Sequence, residues 1–346
     1  MRKNYALDMT CGPFFKKILI FSVPLMLTGL LQLAYNTADV VVVGRFVGKE
    51  ALAAVGSTGS LINLFVNLFI GISMGSGVVV ARHIGENNDK GVRECVHTSM
   101  LLSIFCGFFI GVLGFFTSGE MLKIMNAPDD VIDLATLYLK IYFLGSPGLM
   151  AYNFGAAIVR STGDTKRPLY ILTFSGLVNV ALNLFFVIVL KFGVSGVAIP
   201  TIISQYLSAL LIIIHLKRMN NACRLSFRSL RIHSAELRDI LRIGLPAGIQ
   251  SSLFSVSNVV IQSTVNSFGS SAMAGVAAGS NYDAYIYTCT NAISQTTMTF
   301  ASQNMGARKY SNLGRVYRHC LLITLAIGVG MGLLGMAFGD FIVGLF

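Results

Sequence analysis

Residues 30–44 read LLQLAYNTADVVVVG. Gln32, Asn36 and Asp39 fall at i, i+4 and i+7, so a helix gathers them on one face while Leu30, Leu31 and Val40 to Val43 stay apolar. The stretch ends a longer apolar segment, 15–44, and roughly 20 apolar residues suffice to cross a bilayer. A carboxylate at the centre of such a helix costs about 2.5–3.5 kcal/mol to insert and faces a partner or a watery space by default. Asp39 is therefore the first candidate for function. Pro24, upstream in the same segment, removes a backbone hydrogen bond and predicts a bend.

Outward from this segment the same texture fills the chain. Spans can be marked at 15–44, 53–81, 95–117, 134–158, 168–190, 194–216, 243–267, 276–303 and 319–338. The 346 residues are 54% hydrophobic and only 12% charged, with a mean hydropathy of +0.71. A soluble domain needs more charge to cover its surface, so the reading is an all-α polytopic membrane protein of about nine transmembrane helices. The N-terminus lacks a short apolar stretch with a small-residue cleavage site, so the first span is expected to stay in place.

The net charge of +11 would suit nucleic acid, but its distribution favours topology. Arg2 and Lys3 precede the first span and Lys16 and Lys17 lie at its very start; Arg82, Lys90 and Arg93 follow the second; Arg160, Lys166 and Arg167 follow the fourth. Seven more bases crowd the segment from Lys217 to Arg242, and Arg308, Lys309, Arg315 and Arg318 follow the eighth span. Arg45, Lys49, Lys123 and Lys191 alone fall in the opposite loops, and Lys140 lies within a span. This is a positive-inside pattern: the N-terminus is expected to be cytoplasmic, the protein multi-pass in the inner (plasma) membrane, with membrane lipids as neighbours and no nucleic-acid partner.

The longest polar connection, 217–242, reads as a basic amphipathic segment at the inner leaflet. It divides a first lobe, 1–216, with six spans, from a second, 243–346, with three. An offset of 221 pairs Ile72-Ser73 with Ile293-Ser294 and Gly85 with Gly306, and a shift of one brings Pro24 onto Pro246. Six spans is even, so the lobes enter the membrane in the same sense and are expected to be parallel repeats about an axis along the membrane normal. By that alignment the second lobe is incomplete, its last three helices absent.

Further polar residues lie inside spans. Ser175, Asn179 and Asn183 form a stripe at four-residue spacing; Asn153, Thr201 and Gln205 lie in neighbouring spans. Oxygen ligands with one carboxylate suit Na+, and the carboxylate alone suits H+; the plain alternative is that the amides only join helices. Asp283, beside Tyr282 and Tyr285, is a second intramembrane acid, and with Gln32 and Asn36 it is a candidate for lining a substrate cavity. The six cysteines show no paired spacing and read as packing residues. No GxxxxGK[ST] loop is present, and all five histidines fall near inner helix ends, so neither ATP-driven pumping nor intramembrane enzyme chemistry is expected, and no cofactor.

The stretches LQLAYNTADVVVVGRFVGKEALAAVG (31–56), ARHIGENNDKGV (81–92), NFGAAIVRSTGDTKRP (153–168), NVALN (179–183), GVAIPTIISQ (196–205) and ASQNMGARKYSNLGRV (301–316) together resemble the MATE (multidrug and toxic compound extrusion) family over nearly the whole chain. The resemblance implies two six-helix lobes in a V, a protein monomeric when full length, and export of small organic, often cationic, compounds by Na+ or H+ antiport. It also implies that Asp39 is the coupling acid, working with Asn153, Asn179, Asn183 and Thr201. Two departures stand out: many members carry an aspartate where this chain has Asn183, and one branch carries a glutamate where Phe254 stands. Two alternatives accompany this reading. One is a flippase for lipid-linked saccharides, against which Lys140 is the sole Lys or Arg in the interior of a span; the other is an inactive truncated transporter.

Overall fold

The computed structural model describes residues 7–125, 129–266 and 270–343, which leaves Arg2 and Lys3 outside the described part. Its elements are α1 (Phe14–Phe46), α2 (Lys49–Gly85), α3 (Asp89–Ile124), α4 (Asp129–Leu144), α5 (Ser146–Ser161), α6 (Lys166–Leu184), α7 (Ser195–Arg218), α8 (Ser234–Asn266), α9 (Ser270–Gly306) and α10 (Ser311–Val343). Among the described residues there is no strand. Each expected span coincides with helix, and the protein is an all-α polytopic membrane protein.

Three details differ from the sequence reading. The fourth span is two helices, because Gly145 ends α4 and Pro147 sits in the first turn of α5, where its missing N–H leaves no bond unmade. The fifth span ends in a π-helical turn, Phe185–Val189. Segment 217–242, expected to be one amphipathic connection, is not an independent helix: after α7 ends at Arg218 it holds only a 3-10 turn, Phe227–Ser229, and α8 begins at Ser234. Glu236 in the first turn of α8 favours that start, since an acid there opposes the positive end of the helix dipole. Among the described residues, six helices are long and apolar enough to span a membrane by length and composition alone.

The repeat is visible in the backbone. Asn87 and Arg308, 221 residues apart, both adopt a left-handed conformation, with φ of 55° and 56°. Between the halves, a Cβ on Gly85 would strike the backbone of Gln303 and Ala307, and one on Gly306 would strike Arg82 and Glu86. Those partners are themselves related by the same offset, so the contact is isologous, as a two-fold relation demands. The halves meet again along α2 and α8. A Cβ on Gly75 would lie 2.7 Å from the Gly244 nitrogen, and Gly71 and Gly248 are equally close-set.

Side chains reinforce this junction at its basic end. Arg82 Nη2 reaches Asp239 Oδ2 at 2.5 Å, and His83 Nε2 lies 3.1 Å from Glu236 Oε2 while its Nδ1 lies 2.9 Å from Glu86. Gln303 donates to Ser161 O at 2.7 Å, and Asn304 donates to Met9 O at 2.9 Å, tying the N-terminal segment across both halves. Toward the other end, the described cross-links thin to a 3.4 Å contact between Asn67 and Ser255. The molecule is closed at its basic end.

Because the α2–α8 junction leaves no room for a side chain, Gly248→Leu is expected to destabilise the protein by about 1–3 kcal/mol. Gly314, on α10 with open space around it, should accept alanine with no loss. Thermal unfolding of both variants in detergent checks this; equal losses would show that the tight junction carries no special weight.

Candidate cation-binding site

Asp39 lies on α1 about 10 Å from its C-terminal end, taking 1.5 Å per residue over seven residues. Its carboxylate points into the first lobe. Asn183 Nδ2 on α6 donates to Asp39 Oδ1 and lies 3.3 Å from Asn179 Oδ1, one turn back on the same helix. Asn179 Nδ2 lies 3.4 Å from Thr201 Oγ1 on α7, whose hydroxyl donates to Val197 O at 2.9 Å. Asn179 and Asn183 are both buried. One chain of side chains thus runs from α1 through α6 to α7.

The chain is oriented. Asn183 must turn its NH2 toward the carboxylate, since the opposite flip would set oxygen against oxygen. That leaves Asn183 Oδ1 buried and without a donor among the described residues. A buried acceptor without a partner is costly and fits a cation ligand. The Asp39 carboxylate, Asn179 Oδ1, Asn183 Oδ1 and Thr201 Oγ1 are hard oxygens, the donor type that a cation such as Na+ prefers, and the carboxylate alone could take H+; as they stand, amide NH2 groups lie between them. Among the described residues no cluster of three His, Cys, Asp or Glu side chains could hold a transition metal.

Other expected residues fall differently. Asn153, on α5, donates to Leu149 O at 2.9 Å within its own helix, and among the described residues no hydrogen bond joins it to the Asp39 chain. Pro24 is buried in an unbroken α1, with Thr28 donating to its carbonyl at 2.7 Å. Gln32 and Asn36 are exposed. At about 100° per residue, Gly29 of α1 faces Thr288 of α9 and Asp39 faces α6, so Gln32 and Asn36 occupy the arc between, toward the space separating the halves. Asp283 is exposed on α9, about 140° round that helix from Thr288, and so does not look toward α1.

Three tyrosines escaped the sequence reading. Tyr35, one turn before Asp39, donates to Thr173 O at 3.2 Å, and its ring occupies the space that a side chain at Gly176 would need. Tyr138 and Tyr142 of α4 stack with ring centroids 6.3 Å apart and lie within electrostatic range of Asp39. The signal was present as two i, i+4 pairs, Tyr35 with Asp39 and Tyr138 with Tyr142.

A polytopic helical protein of two related halves, with one carboxylate held by amides inside the first, defines a membrane carrier. The MatE family profile matches residues 24–185 and 246–346, and the chain belongs to that family. It is 29% identical over 334 residues to the Probable multidrug resistance protein YoeA of Bacillus subtilis, covering 94% of this chain and 72% of that protein. It is 28% identical over 301 residues to the Probable multidrug resistance protein YpnP of the same organism, covering 87% and 67%. Among solved structures, an outward-facing multidrug resistance MATE family transporter of the MOP superfamily superposes with a TM-score of 0.92 at 24% identity, covering all of this chain and 77% of the other.

Asn183→Ala removes the side chain that, among the described residues, donates to the Asp39 carboxylate, and a hydrogen bond to a charged group contributes about 1.5–3 kcal/mol. Thermal unfolding in detergent should fall accordingly, whereas Asn153→Ala, which removes a bond within one helix, should change it by about a third as much. Equal effects would mean that the amide chain is not the organising contact.

Proposed function

We propose that this chain exports small organic, often cationic, compounds in exchange for Na+ or H+, with Asp39 as the coupling carboxylate. The observation that carries the reading is the placement of two functions on adjacent faces of one helix. Asp39 meets Asn183 inside the first lobe, while Gln32 and Asn36 look into the space between the halves. A cation arriving at Asp39 changes how α1 is held against α6, and so reshapes the wall that a cargo would touch.

In this reading residues 1–216 act as one lobe, 217–242 as the connection and 243–346 as part of the other. Two states that differ in their affinity for cation and cargo are all that coupling requires; the cation stabilises the arrangement with α1 drawn to α6, and cargo the other. Pro24 gives α1 the point at which its inner and outer parts reorient. The names of the bacillary relatives support a drug cargo. A saccharide-lipid cargo would call for a cationic cavity, whereas the intramembrane base Lys140 lies 5.6 Å from the Phe115 ring centroid, against its own lobe.

Asp39→Asn keeps the shape and removes the charge. In everted membrane vesicles it is expected to lower gradient-driven efflux of a cationic dye by at least about tenfold, the scale of a lost coupling of 1.4 kcal/mol or more. Imposing a Na+ gradient and a pH gradient separately identifies the ion. Undiminished efflux in the variant removes Asp39 from the mechanism; failure of both gradients to drive efflux in the unsubstituted chain removes the exporter reading itself.

A further inference from the structure

At the basic end, away from the cation site, a cavity of about 880 Å³ opens between the start of α3 and the α7–α8 connection. Four cations stand in its wall: Arg93, Lys217, Arg224 and Arg228. Two carboxylates, Asp89 and Glu94, face them, and Glu94 is already shared between Lys90 and His233, each at 3.8 Å. The excess of positive charge suits a phosphate group.

The connection that forms the roof is fastened in place. The Ser226 N–H donates to His97 Nε2 at 3.2 Å, the His233 N–H donates to Thr98 Oγ1 at 3.1 Å, and the Leu225 N–H donates to Leu216 O at 3.1 Å. Lys217 Nζ lies 4.8 Å from the centroid of the Phe227 ring, and Phe227 is 56% exposed at the lip. Cations beside an exposed aromatic ring are what a protein presents to a headgroup layer.

A second cavity, of about 630 Å³, lies deeper along the same helix and is lined by Phe69, Phe105, Cys106, Phe108, Phe109 and Val112. From His97 to Phe108 is about 16 Å along α3, and positions 97, 101, 104, 108 and 112 share one face of the helix. Ile104, Phe108 and Val112 on that face are exposed. A soluble phosphate compound has use for the first cavity only. A phospholipid uses both.

We infer that an anionic phospholipid of the inner leaflet binds here, its phosphate among Arg93, Lys217, Arg224 and Arg228 and an acyl chain along α3 into the aromatic groove. The inference goes beyond transport: it concerns a surface remote from Asp39 and stands whichever ion drives the carrier. Because the roof of the pocket is the connection between the halves, a bound lipid fastens that connection to α3.

The test uses the full chain in detergent. Dioleoyl phosphatidylglycerol is expected to raise its thermal midpoint, whereas dioleoyl phosphatidylcholine, inorganic phosphate and glycerol 3-phosphate are not. The double variant Arg224→Gln/Arg228→Gln should need about twenty-fivefold more phosphatidylglycerol for the same shift, at about fivefold per removed cation, and Arg224→Lys/Arg228→Lys should respond as the unsubstituted chain does. An equal response of the Gln variant overturns the pocket, and an equal response to the soluble phosphates overturns the lipid. The chain contains no tryptophan, so Phe108→Trp supplies a single reporter that needs no arginine variant to fold. Phosphatidylglycerol brominated on its acyl chains should quench it more strongly than brominated phosphatidylcholine at the same mole fraction; equal quenching overturns the proposal.

Discussion

Backbone lying directly on backbone between α2 and α8 is the constraint from which the rest of the architecture follows. Gly71, Gly75, Gly244 and Gly248 face one another with no space for a Cβ. In hydrocarbon, helix association has no hydrophobic drive and depends on close packing and polar contacts, which such small-residue seams supply. Once α2 and α8 touch, Arg82 and His83 come within reach of Asp239 and Glu236, and the isologous crossing at Gly85 and Gly306 follows one turn further on. The connection from α7 to α8 must then run across the start of α3, where His97 and Thr98 receive it.

The two-fold relation predicts a matching seam between α1 and α9, yet this one is looser. Under the offsets that relate the halves, Gly244 corresponds to Ser22, Gly248 to Met26, Gly71 to Ala292 and Gly75 to Thr296. Bulkier residues hold α1 away from α9, and the contacts there are of another kind: an edge-to-face pair, Phe21 with Phe300 at 5.6 Å, and Gly29 against Thr288. The helix carrying Pro24 and Asp39 is therefore the less firmly clasped of two equivalents. Proteins place their moving parts at such weakly packed elements, which agrees with the role proposed for α1.

Most of the fold was legible because the bilayer restricts what a chain can do: apolar length and basic loops left few alternatives, and each marked span coincides with helix. What was missed depends on local backbone chemistry that averaging over a span conceals. The run Gly145-Ser146-Pro147-Gly148 spells a helix end and a helix start, yet its neighbours are apolar enough to read straight through. The start of α8 at Ser234 was hidden by the bases that follow it, which suggested a surface segment rather than the inner turns of a span. At the site, the i, i+4 and i+7 spacing around Asp39 and the Asn179–Asn183 pair marked polar faces, but spacing within a helix says nothing about which helices face each other. Asn183 therefore meets Asp39, whereas Asn153, equally polar by position, bonds within its own helix.

Asymmetry extends to the charges. The offset that superposes Pro24 on Pro246 places Ile261, which is exposed, where the first lobe has Asp39. Phe254, standing where one branch of the family is expected to carry a glutamate, stacks face to face on Tyr287, with ring centroids 5.5 Å apart and planes 8° from parallel. A stacked aromatic pair is stable in hydrocarbon without a counter-ion, whereas a carboxylate there would need one. Between the two halves of the described chain, then, the half-buried carboxylate with an amide partner belongs to the first alone. In the proposed mechanism a cation that stabilises one lobe and leaves the other untouched would act through the surface between them, and α1 is the helix of the first lobe that meets both α6 and α9.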